Sequence, residues 1–371
     1  MSHVKPEHIN RVIVRGTNWV GDSVMTVPAL RALRQLLPHA HITLTTRAWA
    51  KGLFEDADFI DELLPYQGRA VSSLPQRILQ WRRGRFDLAI IFPNSFEAAL
   101  VPAVAGIPLR VGYGKEARGP LLTHPLPLPK WRDSKHEVFY YLNIIAEVER
   151  LMFGTEDLLK AAPDDSLFVR ESRRVEALRF LSELGIENDR PVVALCPGST
   201  NSRAKRWPVE RYAALADRLI DDLGANVLLI GSAEEMEVSL EASRQMRNVP
   251  TMLTGKTDLA QAVALLSVVD LLVTNDTGPG HIAAALGRPT LVIFGPTNPL
   301  TTRPFSSTAE LVRQQPDCAP CMLRDCPIDH RCMTAISSAE VFLRASALLK
   351  QQGRGQAAGA DGSSRRQGAD H

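Results

Sequence analysis

Short apolar runs bounded by turn residues recur along this chain. Each is followed by a helix-patterned stretch, and that alternation limits the fold more than any other feature. RVIVR at 11–15, HITLTT at 41–46 and DLAIIF at 87–92 read as buried strands. Between the first two, VMTVPALRALRQLLP has helical apolar spacing and is expected to end at Pro38. Strand–helix–strand repetition implies a parallel sheet covered by helices on both faces. A second series starts at 191, with PVVALCP, NVLLIG, DLLVT and TLVIFG as strands. Its helices include WPVERYAALADRLIDDLG, closed by Gly224, and DLAQAVALLSVVD. Between the series lie the proline-rich RGPLLTHPLPLPKWRD, a helix in SKHEVFYYLNIIAEVERLM, and a loop near 153–165. The expectation is an α/β chain of two doubly wound, Rossmann-like domains, at 1–165 and 166–350. A tail at 351–371, rich in Gly, Ala, Ser and Gln and without periodicity, reads as disordered. Sheets of this kind bind ligands beyond the carboxyl ends of their strands. Two facing domains are expected to place that crevice between them.

The length of 371 residues fits two domains, and 45% hydrophobic with 23% charged residues is ordinary for a soluble chain. A net charge of +2 gives no general pull toward nucleic acid. No apolar window is long enough to span a bilayer, and no signal peptide is read at the start, so a cytosolic location is expected. Two patches mixing aromatics and cations, WRRGR at 81–85 and PKWRDSK at 129–135, fit either an anionic membrane surface or a solvated face.

Five segments carry the chemistry. NDTGPGHIAAALG at 275–287 runs from a strand into a helix. Thr277 and Gly278 stand at the helix N-terminus, where free N–H groups and the dipole favour an anion such as a pyrophosphate. His281 lies one turn on. The other reading is a plain cap by Asp276 or Thr277. CPGSTNSRAKRWP at 196–208 again links strand to helix: Gly198, Ser199 and Thr200 offer donors, and Arg203, Lys205 and Arg206 offer charge suited to a diphosphate, or only a solvated basic loop. GTNWVGDS at 16–23 follows the first strand, but its glycines miss the dinucleotide spacing, which disfavours a dehydrogenase. Asp22 in that loop is positioned to act as a base on an incoming hydroxyl, or to cap the next helix. In GSAEE at 231–235, Glu234 is the candidate for ribose hydroxyls, or merely complements a helix dipole. GIPLRVGYGKEARG at 106–119 is a glycine-rich basic segment that reads as an acidic-acceptor site or as plain surface.

Cys318, Cys321, Cys326 and Cys332 crowd into CAPCMLRDCPIDHRC with His330 among them. Only one pair has the C-x2-C spacing of a zinc site, so reduced structural thiols and a structural metal both stay open.

NWVGD, FPNSFEAALVPAVAGIPLRVGY, CPGSTNSRAKRWPVERYAALA and TNDTGPGHIAAALGRP with FGPTNP together resemble the ADP-heptose:lipopolysaccharide heptosyltransferases of glycosyltransferase family 9. WVGD and PNSF are most similar to members that add the second inner-core heptose. The resemblance implies a GT-B fold with the active site in the cleft between its domains. It implies inverting transfer of heptose from ADP-heptose to heptosyl-Kdo2-lipid A, with no metal or cofactor in the chemistry. It makes Asp22 the base and Lys205 the donor-phosphate lysine. Ser199, Thr200, Asp276, Thr277, Gly278 and His281 join the donor site, with Glu234 at the nucleoside. Asn94, Arg110, Lys115 and Arg118 are the acceptor-side candidates. The lipid-anchored acceptor implies contact with the cytoplasmic face of the inner membrane. Family members acting one step earlier or later, and a relative that binds nucleotide sugar without transfer, are the competing readings.

Overall fold

The computed structural model describes residues 5–66, 73–187 and 189–364, with side chains described through 352. The chain forms two compact units: Met1–Phe168 with Leu300–Phe305, and Val169–Pro299 with Ser306–His371.

The first unit is a six-stranded sheet of β1 (Arg11–Arg15), β2 (His41–Arg47), β3 (Glu62–Tyr66), β4 (Leu88–Ile91), β5 (Leu109–Tyr113) and β6 (His124–Leu126). The second holds β7 (Val192–Cys196), β8 (Asn226–Leu229), β9 (Thr251–Met252), β10 (Leu271–Asn275), β11 (Thr290–Phe294) and β12 (Ala309–Arg313). The spatial orders are β3-β2-β1-β4-β5-β6 and β12-β11-β10-β7-β8-β9. Counted from its own first strand, each unit has the same Rossmann order, and every pairing is parallel. The central strands are buried along nearly their whole length because helices cover both faces, which is why they read as continuous apolar runs rather than alternating ones.

In both sheets the progression of strand order reverses where the first strand meets the fourth, with the strands still parallel: β1 beside β4, and β7 beside β10. Crossovers leave to opposite sides there, so the loops splay apart and open a ligand crevice at the carboxyl ends. The loops at 16–19, 92–95, 197–208 and 276–277 all leave strands at these two points.

Three sequence expectations are corrected. The stretch after β1 is not one helix but two, Val20–Met25 and Val27–Leu36, because Pro28 lacks the N–H that a continuous helix needs. Trp81 is 1% exposed within the core of Ile13, Phe86 and Val101, so WRRGR has no aromatic to lay on a membrane. The C-terminal helix spans Ser338–Ser364 and so runs past Gln351, where the tail was expected to lose order. Residues 365–371 lie outside the described residues.

His136 fastens the returning segment Leu300–Phe305 to the first unit. Its Nδ1 accepts from Val138 N (3.2 Å), capping the helix Glu137–Phe153, so the ring proton sits on Nε2 and is donated to Arg303 O (2.7 Å). Phe305 packs on the same imidazole and on Phe139. Burial holds the His136 pKa below its ordinary value, which keeps this two-sided bond intact.

Candidate active site

In the second unit one buried amide ties the two anion-type loops together. Asn275, the last residue of β10, is fully buried. Its Nδ2 donates to Pro197 O (2.9 Å) and Gly198 O (3.0 Å), and its Oδ1 accepts from Trp207 N (3.1 Å) and Tyr212 Oη (3.1 Å). The loop after β7 is therefore fixed at its start and its end by a residue of β10. Gly198 is required by a close approach: a Cβ there would stand 2.5 Å from the Glu235 carboxyl. Glu235 is itself buried and accepts from Ser232 N (2.8 Å) in a capping box. Glu234, its neighbour, is exposed, and bonds to its own N–H and to Ser232 hold its carboxyl below the usual range.

Lys205 closes a short turn, Arg203–Lys205, and reaches across to the other loop. Its Nζ stands 2.8 Å from Asp276 Oδ2 and donates to Asp276 O (3.2 Å). Thr297 donates to the same carboxylate oxygen at 2.6 Å. The lysine side chain is 24% exposed and the aspartate 4%, so the ammonium is the outward end of the pair. Thr277 occupies the N-cap of the helix Gly278–Ala285 but makes no side-chain cap; its hydroxyl turns to Thr274 Oγ1 (3.0 Å) and Asn275 O (3.3 Å). Simple capping by Thr277 is thus corrected, because its hydroxyl faces the strand. His281 is buried in the same helix. Ser199 is buried, its carbonyl accepting from Arg206 Nη2 (3.1 Å), while Thr200 is exposed.

In the first unit Asp22 lies in the first turn of the helix Val20–Met25, not in the preceding loop, and the N-cap position belongs to Trp19. Asp22 neighbours Glu137, the first residue of the helix Glu137–Phe153. Burial pushes the Glu137 carboxyl up to about 7; Arg132, 3.7 Å away, opposes that rise and the Asp22 charge adds to it. Asn94, just after β4, donates to Tyr140 Oη (2.9 Å) and accepts from Arg118 Nη2 (3.2 Å).

The structure corrects Arg118 as a ligand-contacting residue. It is fully buried; its Nε donates to Tyr113 O (2.7 Å), and its Nη1 to Pro93 O. Burial pushes its pKa down to about 10. It is an internal strut joining the ends of β4 and β5. Arg110 is likewise committed to Leu121 O (2.7 Å) and Ile107 O. Lys115 is exposed, on a turn where Glu116 and Ala117 hold left-handed φ of 55° and 58°.

The sequence reading missed a cationic cluster. Arg15, Arg47 and Tyr66 each end a strand, and three guanidinium groups face the Tyr66 ring: Arg15 at 4.3 Å, Arg77 at 4.6 Å and Arg47 at 5.5 Å. Tyr66 Oη and Arg15 Nη2 both donate to Asn18 Oδ1, at 2.8 and 3.4 Å. Glu97 pairs with Arg77. Arg15 Nε and Arg77 Nη2 are buried without a hydrogen-bond partner among the described residues. The only signal in the sequence was position: an arginine closing β1 and another closing β2.

All five cysteines are free thiols. Among the described residues no group of His, Cys, Asp and Glu is gathered so as to hold a metal ion. Burial pushes the Cys332 thiol up to about 11 and Cys196 up to about 12.

The family model for glycosyltransferase family 9 (heptosyltransferase) matches residues 76–331, taking in both the Asn94 and the Lys205 loops. The chain belongs to glycosyltransferase family 9. It is 34% identical over 313 residues to lipopolysaccharide heptosyltransferase 2 of Escherichia coli, covering 82% of this chain and 88% of that protein. Lipooligosaccharide heptosyltransferase 2 of Haemophilus influenzae is 31% identical over 81% of this chain and 88% of its own length. The solved structure of the E. coli ADP-heptose LPS heptosyltransferase II superposes with a TM-score of 0.80 at 31% identity, covering 92% of this chain and 99% of that one. The two parallel sheets are those of the GT-B fold, as the resemblance implied, and the two doubly wound units are those the alternation of strands and helices predicted. This family 9 protein is a glycosyltransferase, and heptose transfer in lipopolysaccharide core synthesis is its activity.

Proposed function

We propose that this enzyme transfers L-glycero-D-manno-heptose from ADP-heptose to heptosyl-Kdo2-lipid A with inversion at the anomeric carbon. The observation that carries the reading is the pairing of Lys205 with Asp276 at the β7/β10 switch point, beside an N-terminus left uncapped by Thr277. That arrangement suits a diphosphate: the ammonium and the first-turn N–H groups of Gly278 and its neighbours stabilise the charge that develops as ADP leaves. Ser199, Thr200 and His281 line the same turn pair, Asp276 orients the lysine, and Glu234 takes the nucleoside hydroxyls.

On the first unit, Asp22 removes the proton from the attacking acceptor hydroxyl. The new bond forms from that oxygen to the anomeric carbon, and the bond from that carbon to the diphosphate oxygen breaks, its electron pair leaving with ADP. The excess of arginine over acid around Tyr66 favours an acceptor bearing carboxylate or phosphate groups. Asn94 and Lys115 complete the acceptor side, with Arg110 and Arg118 shaping its loops from behind. Among the described residues no helix is long and apolar enough to cross a membrane. A lipid-anchored acceptor therefore calls for peripheral contact with the cytoplasmic face of the inner membrane, and Trp131 with Lys135 stacked 5.4 Å over its ring is a suitable contact point.

The test is transfer from ADP-heptose to purified heptosyl-Kdo2-lipid A, with Kdo2-lipid A in parallel. Turnover on the first alone is expected. Turnover on the second alone moves the enzyme one step earlier in the core, and binding of ADP-heptose with no transfer to either removes the proposed acceptor.

A further inference from the structure

The cysteine-rich stretch between β12 and the helix Arg331–Thr334 lies far along the chain from the Lys205 turn, yet the two are tied together. The donor loop is gripped at consecutive residues. Ser202 Oγ donates to Arg324 O (3.1 Å), and Arg203 Nε pairs with Asp325 Oδ1 (2.6 Å). Ala204, buried, is held on both sides of its backbone: its N–H donates to Arg324 O (2.9 Å), and its carbonyl accepts from His330 Nε2 at 2.5 Å. A carbonyl can only accept, so the proton of this imidazole is on Nε2. The next residue is Lys205. The same stretch also reaches the far side of the lysine's partner. Cys321 N and Met322 N both donate to Pro296 O (3.0 and 2.9 Å), and Thr297 donates to Asp276 Oδ2.

The segment holds this position at a cost. His330 and Met322 both have left-handed backbones, with φ of 59° and 58°. For residues other than glycine such a conformation persists only where surrounding contacts over-determine it. At His330 the contact it secures is the bond to Ala204.

We propose that the cysteine-rich segment is a latch on the donor loop and that His330 is a positioning residue for Lys205, acting through the Ala204 carbonyl. It fixes where the ammonium stands relative to Asp276 and hence to the leaving diphosphate. The inference rests on the reading above that Lys205 holds the donor phosphates.

His330→Ala and His330→Gln test it together. Both meet the same backbone strain, but only glutamine keeps an N–H at the reach of Nε2. ADP binding is measured by calorimetry, and kcat and KM are measured for ADP-heptose and for acceptor. His330→Ala is expected to weaken ADP binding and raise donor KM about threefold to tenfold, the loss of one hydrogen bond, with acceptor KM unchanged. His330→Gln should recover most of that. Equal damage in both variants, or an equal rise in acceptor KM, makes the histidine a general structural residue and overturns the proposal. In a double-mutant cycle, His330→Ala should add almost nothing once Lys205→Ala is present; a full independent loss means that His330 acts elsewhere. Normal ADP affinity and turnover in Lys205→Ala alone overturns the donor reading itself, and this inference with it. A Lys205→Ala defect beside a normal His330→Ala overturns the inference only.

Discussion

The two units share one strand order and one place for a ligand, but the side chains at their switch points have little in common. In the second unit the site is built from backbone, hydroxyls and a balanced ion pair, with a buried amide locking two loops and a glycine allowing close approach. In the first unit the arginines at Tyr66, two closing strands and one on a helix, outnumber the acids among the described residues, and a carboxylate at the start of a helix stands beside a second, half-buried carboxyl. The balanced site suits a ligand whose charge must be held at one fixed place while a bond breaks. The unbalanced one suits an acidic partner and a proton acceptor. Identical topology hosts both because the fold supplies a crevice and the loop residues supply the chemistry.

Substitutions on either side can break this contrast. The largest effect is expected for Asp22→Ala, with turnover falling about 10²–10⁴-fold, the usual weight of a general base, and ADP-heptose binding little changed. Near-normal turnover, or equal loss of donor binding, would erase the division between units. Lys205→Ala should lower kcat about 100-fold and weaken ADP binding as well, because it removes charge stabilisation and frees Asp276 from its partner. Steady-state kinetics that leave both unchanged would show the ion pair to be structural only. Asn275→Ala should cost about 3 kcal/mol in urea unfolding, since Trp207 N, Tyr212 Oη and two carbonyls lose a buried partner together. A loss under about 1 kcal/mol would mean that the loops are held by other contacts.

A pH profile sharpens the first unit's side of the contrast. The Glu137 carboxyl titrates near 7 in the folded chain against an ordinary 4.5, so the folded state holds a proton that the unfolded chain releases. Its contribution favours folding at low pH and is lost as pH rises from about 4.5 to 7, about 3 kcal/mol in all. Glu137→Gln should flatten that stretch of the stability profile. Asp22→Asn should shift it to lower pH, because the Asp22 charge helps hold the proton on Glu137. A profile unaltered by both would remove the link between the two carboxyls.

Some features of this protein are decided over a few neighbouring residues, and others only by packing in three dimensions. Strand periods, helix caps such as Gly224, and the turns around Thr277 and Ser199 are local in the chain. Backbone preference and apolar spacing act over a few residues, so two parallel α/β units and both anion-type loops were legible in the one-dimensional pattern. Helix boundaries were harder: Pro28 splits a helix that apolar spacing alone makes continuous, and the first piece starts as early as Val20, which takes Asp22 into a helical turn. Partners distant in sequence were not legible at all. Whether an arginine meets a ligand or a carbonyl depends on burial, so Arg118 looked like a surface cation and is a strut. Arg15 and Arg47 meet at Tyr66 because parallel strands bring their ends together, and Arg77 reaches the same ring from the helix Leu74–Arg83. Asn275 beside Gly198 and His330 beside Ala204 are likewise set by tertiary packing. Hydrogen bonds and charges act over a few ångströms of space, and only folding turns separation along a chain into that distance.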